Sequence, residues 1–484
     1  MRRIIRQEPE RISGTRRWKH ELPLWYPLPM LPLRQLALLG LGVALLHAGA
    51  FFGTAALMEG HGASMPAMIA KMDQIEYMQL ADTMLSAGRF ALWPTAAPEI
   101  FRTPGYPVLI ALIDVFTGHW YWALFCVHAL MVGILAMVVA LIGSEIGLSR
   151  RLALLAGTLI GISSGPLLLT ITGTGSDIMY TLLYALAAYT ALQRAMPLTQ
   201  KAVLVGLMLG IATLTRPVGV LASLPLLLGF ALLSATEWRR YARATLLAGA
   251  AWLIVLAPWY ARNASIVGTP ILSTVSTFNI TCYNIPMNET FWRGTGEDEA
   301  QLAVLQAVGT TTPEALRGIT YLSAMQAYDS AYLRSHVFEY GVFHVYRTIP
   351  FFVMSGFNVA NAIVSHEAHT LRVPLFPTEG DNLTRHIAAH EWAAVVGALG
   401  KYWFTTFERL SWLIAILLAF GAPLVARGAR RRALLLFATI IAFNILLVSP
   451  VTQARYRVPT EPFIWVAAVY TGAALWKRYW EPNT

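Results

Sequence analysis

Apolar residues fall in ten long runs with short polar stretches between them: 35 to 58, 120 to 143, 152 to 172, 176 to 195, 201 to 216, 217 to 235, 243 to 261, 409 to 427, 432 to 449 and 459 to 477. A helix needs about 20 mainly apolar residues to cross a hydrocarbon core, and shorter ones are tolerated inside a bundle. Each run therefore predicts a spanning helix. Two further segments are ambiguous. Residues 105 to 118 (GYPVLIALIDVFTG) are short and carry Asp114, and residues 341 to 357 (GVFHVYRTIPFFVMSGF) hold Arg347 and Pro350 in their middle. Counting only the first as a span would invert every loop up to the second. Leaving both out puts every basic cluster on one face: the N-terminal arm, Arg150 with Arg151, Arg194 with Lys201, Arg239 with Arg240 and Arg243, Arg427 to Arg432, and Lys477 with Arg478. That is the positive-inside distribution. It predicts an all-α, polytopic protein of about ten spans with both termini cytoplasmic and the ambiguous segments as interfacial or re-entrant helices on the outer side.

The same reading divides the chain into a basic arm (1–34), an N-terminal membrane module (35–261) with its first outer loop at 59–119, an outer region (262–408) and a C-terminal membrane module (409–484). No small-residue cleavage pattern follows the first run, so it is expected to remain as an uncleaved helix. Composition agrees with a membrane protein: 56% of residues are hydrophobic and 13% charged, against roughly a quarter charged in soluble domains. The net charge of +10 sits in short runs between apolar stretches and not on one folded face, which argues against nucleic acid as a partner. Cys126 falls in an apolar run and Cys282 in a polar loop, so no disulfide framework is expected. No internal repeat supports an inverted-repeat transporter.

Chemistry is concentrated on the outer side. In the first outer loop, residues 71 to 88 read KMDQIEYMQLADTMLSAG. Tyr77, Leu80, Ala81, Met84 and Leu85 recur at helical spacing, Gly88 suits a C-terminal cap, and Asp73 stands at the start, where the helix dipole favours an ionised carboxylate. From this window alone a plain N-cap is the simpler account of Asp73. The turn FRTPGYP at 101 to 107 then leads into the short apolar segment, and its two prolines and glycine make it stiff. His119, His128 and His344 stand alone among aromatic or apolar residues and read as packing.

The pattern of Asp73, Tyr77 and Ala81 followed by RTPGYP resembles the first outer loop of the C-type glycosyltransferase superfamily, nearest to the bacterial relatives of protein O-mannosyltransferases and lipid A aminoarabinose transferase. Four further stretches fit in order: TGTGSDIMY around Asp177, GLMLGIATLTRP ending at Arg216 and Pro217, APWYARN at 257 to 263, and ARYRVPTEP at 454 to 462. The resemblance implies a helical bundle in the bacterial inner membrane that moves a sugar from a polyprenyl-phosphate carrier to a glycan, lipid or protein acceptor on the periplasmic side, with inversion. It implies Asp73 as catalytic base and Asp177 as a second acidic position. A C-terminal outer domain found in some relatives is expected to be lacking, and 262–408 matches nothing in the family.

A carboxylate at a helix start can take the acceptor proton, and the leaving phosphate asks for cations. Arg216 and Arg455, at the outer ends of their runs, could supply them, although both could instead reach to lipid headgroups. Tyr77, Arg102, Tyr106, Arg262 and Tyr456 complete the candidate substrate contacts. No metal site and no cofactor are expected, since a sugar leaving with one phosphate needs less neutralisation than a diphosphate. Asn263, Asn279, Asn288 and Asn382 are sequons in or beside the outer region. Two other readings compete: a lipid or oligosaccharide transporter without glycosidic chemistry, which would place ionisable groups near mid-membrane, and a structural scaffold, which would tolerate loss of Asp73 and Arg455.

Overall fold

The computed structural model describes residues 31–60, 73–118, 121–173, 175–234, 236–356, 389–401, 403–451 and 453–480. Most of the basic arm, His119, Thr174 and the sequon at Asn382 lie outside them. Among the described residues the regular structure is entirely helical.

In chain order the helices of the first half are α1 (Leu33–Gly60), α2 (Asp73–Ala87), α3 (Gly105–Thr117), α4 (Tyr121–Glu145), α5 (Arg150–Ile162), α6 (Ser164–Ile171), α7 (Gly175–Leu192), α8 (Leu198–Thr215), α9 (Gly219–Ala222), α10 (Leu224–Ala231) and α11 (Trp238–Val267). The outer region adds α12 (Val275–Asn279), a π turn (Ile280–Asn284), α13 (Ile285–Arg293), α14 (Glu297–Val308), a 3-10 turn (Pro313–Arg317), α15 (Leu322–Ser335), α16 (Val337–Tyr346), α17 (Ile349–Val353) and α18 (Trp392–Lys401). Last come α19 (Trp403–Val425), α20 (Gly428–Val448), a 3-10 turn (Ala454–Thr460) and α21 (Glu461–Tyr479).

Seven described segments are long and apolar enough to cross a membrane: Leu33–Gly60, Trp122–Glu145, Arg150–Ile171, Leu198–Thr215, Trp238–Val267, Trp403–Val425 and Gly428–Val448. The other three expected spans are helical as well but fall outside the seven, for visible reasons. The 176–195 run is α7, which opens on Asp177 and is buried along most of its length. The 217–235 run divides into α9 and α10 at Ser223, with Pro225 in the first turn of the second piece. The last run carries Glu461 at one end and Lys477 with Arg478 at the other. The eighth run begins at Trp403, earlier than the sequence predicts, and so takes Glu408 into the helix.

The bundle packs α1 on α4, α4 on α5 and α7, α7 on α8, α8 on α11, and α19 on α20 and α21. Close approach is set by small residues, as bilayer helices require when lipid and side chain are equally apolar. A Cβ on Gly206 of α8 would lie 2.2 Å from the Ala248 carbonyl oxygen of α11.

Outside the bundle, α2 begins at Asp73 and ends at Ala87, and Gly88 takes φ 62°, the left-handed C-terminal cap that its sequence position predicts. The outer region, for which the sequence supplied no fold, is a helical lobe. Its core joins Phe278, Cys282, Leu305, Val308, Leu316, Leu322 and Met325 to Phe101 of the first outer loop. The two outer segments thus share one core. Two sequons are closed to modification in this fold. Asn263 is wholly buried and donates to the Ile271 and Leu272 carbonyls at 3.0 and 3.1 Å. Asn288 is buried and donates to the Tyr332 hydroxyl at 2.8 Å.

Candidate functional site

The first turn of α2 presents Asp73 and Glu76 one turn apart, so both carboxylates point the same way. Asp73 is held from two directions. Arg102 Nη2 donates to one oxygen at 2.9 Å, and Arg455 Nη1, from 382 positions further along the chain, donates to the other at 3.3 Å. Arg102 also donates through Nε to Glu76 at 2.7 Å. Arg317, from the outer lobe, takes Glu76 in a bidentate grip, 2.6 Å on each side, the planar fork geometry that suits guanidinium and carboxylate. Phe101 serves as the floor: Arg102 lies 5.1 Å and Arg317 4.4 Å from its ring centre.

A second pair sits beside the first. Asp177 occupies the opening turn of α7, and Arg216 is the residue at which α8 ends, with Pro217 blocking continuation. Their closest atoms are 2.5 Å apart. Arg216 bears electrostatically on Asp73, and Arg455 on Asp177, so the pairs form one field. Four guanidiniums (Arg102, Arg216, Arg317, Arg455) meet three carboxyl groups (Asp73, Glu76, Asp177), so cations outnumber acids by one. The cluster stays open: the Asp73 side chain keeps 31% and the Arg455 side chain 23% of its exposure.

Electrostatics fix the state of the acids. Burial alone would raise the Asp73 carboxyl, but Arg102, Arg455 and Arg216 outweigh it and hold the group well below the ordinary carboxylate range. For Glu76 burial is likewise overcome, here by Arg317 and Arg102, and its pKa is lowered. Both are anionic at neutral pH.

Behind the charged face lies a dry polar network. The Tyr106 hydroxyl donates to Gln74 Oε1 at 3.0 Å and lies 2.6 Å from His128 Nε2. With its only proton given to Gln74, it accepts from the imidazole N–H. Gln74 adjoins Asp73, and the network abuts Gly175, two residues before Asp177. A Cβ at Gly175 would stand 1.9 Å from His128 Nε2 and 2.2 Å from the Tyr106 oxygen, so glycine there lets α7 close on α3 and α4.

Of the residues singled out in the sequence, Asp73, Arg102, Asp177, Arg216, Arg455 and Tyr456 come together. Tyr456 accepts from Arg455 Nη2 at 3.0 Å and places its ring 4.9 Å beneath that guanidinium. Tyr77 and Tyr106 differ from the expectation of substrate contact. Tyr77 is 4% and Tyr106 0% exposed, and the rings meet edge to face at 5.1 Å; both support the face from behind. Arg262 stands apart: it binds the Glu99 and Phe90 carbonyls and the Asn263 side chain, fastening the end of α11 to the first outer loop.

Three contributors escaped the sequence reading, and a fourth, His128, was read there as packing. Glu76 could have been found, lying at i+3 from Asp73 on a helix already predicted. Arg317 gave no signal, being in a lobe without a motif, and Gln74 and His128 acquire meaning only through Tyr106. Comparisons with family models and with curated proteins returned no match.

Proposed function

We propose that the chain is an integral-membrane glycosyltransferase that moves a sugar from a polyprenyl-phosphate carrier to an acceptor hydroxyl on the outer face of a bacterial inner membrane. The observation that carries this reading is the meeting of Asp73 with Arg102 and Arg455 at an open site, beside the Asp177–Arg216 pair.

The chemistry divides simply among these groups. The acceptor oxygen attacks the anomeric carbon from the face opposite the phosphate, Asp73 takes its proton, and the sugar–phosphate bond breaks with inversion. The donor phosphate carries one negative charge as a diester and two once it leaves, so charge grows where guanidiniums can meet it. Electrostatic groups already aimed at developing charge supply much of enzymatic rate enhancement. Without substrate, Arg102 and Arg455 are engaged by Asp73, which keeps that carboxylate weakly basic. An arriving phosphate competes for Arg455 first, its contact being the longer at 3.3 Å. As Arg455 turns to the phosphate, Asp73 loses a cation and becomes a better base at the moment one is needed. Asp177 holds Arg216 in place.

The test is Asp73→Asn in cells, read by mass spectrometry of lipid-linked sugars and envelope glycans. Loss of base catalysis is worth about a hundred- to ten-thousand-fold, so normally expressed Asn protein should leave the glycosylated product missing and the carrier-linked sugar accumulated. An Asn variant with wild-type product levels would end this assignment. Activity that persists in chelator would agree with the metal-independent reaction expected here.

A further inference from the structure

The most exposed face of α16 (Val337–Tyr346) is apolar, the half-exposed Glu339 standing at its edge. At 100° per residue, Val337, Phe338, Val342, Val345 and Tyr346 fall within one half of the helical circumference, and Ile349 follows after the turn that ends α16. All six side chains are exposed, Phe338 at 79% and Val337 at 68%. A helix facing water on that side would present charged or polar residues there, and a contiguous exposed apolar face marks a contact surface.

The opposite face fixes where the helix sits. Phe343 is buried against Phe291 of α13, with ring centres 5.5 Å apart. The Tyr340 hydroxyl accepts from Asn284 at 3.1 Å, His344 Nε2 donates to the Leu446 carbonyl at 2.6 Å, and Arg347 Nε donates to the Pro450 carbonyl at 3.2 Å. Leu446 lies in the last turn of α20, a helix long and apolar enough to cross the membrane. The other end of α20 bears Arg430, Arg431 and Arg432, the basic end in the topology proposed from the loops. The helix is therefore pinned beside the outer end of a span. Tyr346, Phe291 and the exposed Trp292 sit together at its edge, with Phe291 and Tyr346 ring centres 5.1 Å apart, an aromatic group of the kind found at membrane interfaces.

From the bare face and the anchor together we infer that α16 lies in the outer leaflet, its Phe338 and Val345 side chains among acyl chains. Lipid is favoured over a protein partner because the anchor sets the face against the last turn of α20, an apolar helix long enough to span, where Leu446 is itself exposed. The seat is connected to the site: the segment that follows α16 offers the Phe351 and Met354 carbonyls to Arg457, two residues from Arg455.

The measurement is nitroxide accessibility on the full chain in phospholipid nanodiscs, with Cys126 and Cys282 replaced by alanine and single labels at Phe338→Cys, Val345→Cys and, as the aqueous reference, Arg334→Cys. Collisions with oxygen, which concentrates in lipid, should dominate at 338 and 345. Collisions with a water-soluble nickel chelate should dominate at 334. Nickel dominance at either face position overturns the inference, and so does exclusion of both relaxants, which would mean that a second copy, another segment or another protein covers the face. Each face label is exposed in the fold, so either one suffices if the other variant does not purify. The readout is independent of any transferase activity.

Discussion

Arg455 and Arg457 are two residues apart on one 3-10 turn and meet opposite fates. Arg455 reaches Asp73 at a site that keeps a quarter to a third of its side-chain exposure. Arg457 is 0% exposed: it donates to Glu461 at 3.3 Å and to the Phe351 and Met354 carbonyls, and lies 3.8 Å from the Trp412 ring centre. Glu461 is closed off in turn, accepting from Ser163 at 2.6 Å. Nearby Glu408 accepts from the Gly356 N–H at 3.0 Å and from the Ser355 hydroxyl. One guanidinium is open to a ligand and the other is sealed where none can reach. In a low-dielectric interior a charge persists only when paired and hydrogen-bonded. The sealed network therefore reads as architecture and the open one as chemistry.

The contrast breaks most sharply at the two arginines themselves. Arg457→Ala strips the cation from a buried carboxylate and should destabilise the fold by about 3–5 kcal/mol, seen as a large fall in melting temperature in detergent or as failure to accumulate. Arg455→Ala should melt close to wild type while losing the proposed transferase activity. Equal melting of the two variants would dissolve the distinction.

How legible this was follows from where each partner lies. Asp73 was visible at a helix start, and Arg102, Asp177, Arg216 and Arg455 because each stands at the end of an apolar run or in a stiff turn, where a charged residue is conspicuous. The helices at 73–87 and 105–117 were visible in periodicity and in the Gly88 cap. Pairing was not legible, because Asp73 and Arg455 are 382 positions apart and no local rule connects them. Tyr77 and Tyr106 belong to the motifs that carry the family resemblance and were expected on that ground to touch substrate; the α2–α3 packing turns both inward. The outer lobe was opaque because its core borrows Phe101 from another loop, so the lobe's own residues present an incomplete pattern. Arg317 went unnoticed with it.

Asp329 sharpens the rule about sealed charges, having no ion pair among the described residues. On α15 it is 6% exposed, and Thr281 donates to it at 2.9 Å. Burial pushes its carboxyl up to about 7, the Thr281 hydrogen bond opposing only in part. A carboxyl whose folded pKa is raised contributes stability fully present below its unfolded value near 3.9, and that stability is lost as pH rises through about 7. The lobe should therefore weaken between about pH 4 and 7, by up to about 4 kcal/mol at 1.36 kcal/mol per pKa unit. Asp329→Asn should flatten that portion of the melting-temperature profile. An unchanged profile would mean that Asp329 is charged and paired after all.

The smallest effect concerns the network behind the open site, where neutral hydrogen bonds take the place of charge. Tyr106→Phe keeps the ring against Tyr77 and removes only the oxygen that links Gln74 to His128. Two buried polar groups then lose their partner, a loss of about 1–3 kcal/mol, smaller than at Arg457 because no net charge is stranded. If the network only supports the fold, stability and activity should fall together and a stabilising lipid should restore both. If it also aims Asp73 through Gln74, the turnover number should remain depressed after stability is restored, with KM little changed. Such a split would extend the functional side of the comparison one layer behind the charges; its absence would confine that side to Asp73, Asp177 and the guanidiniums facing them.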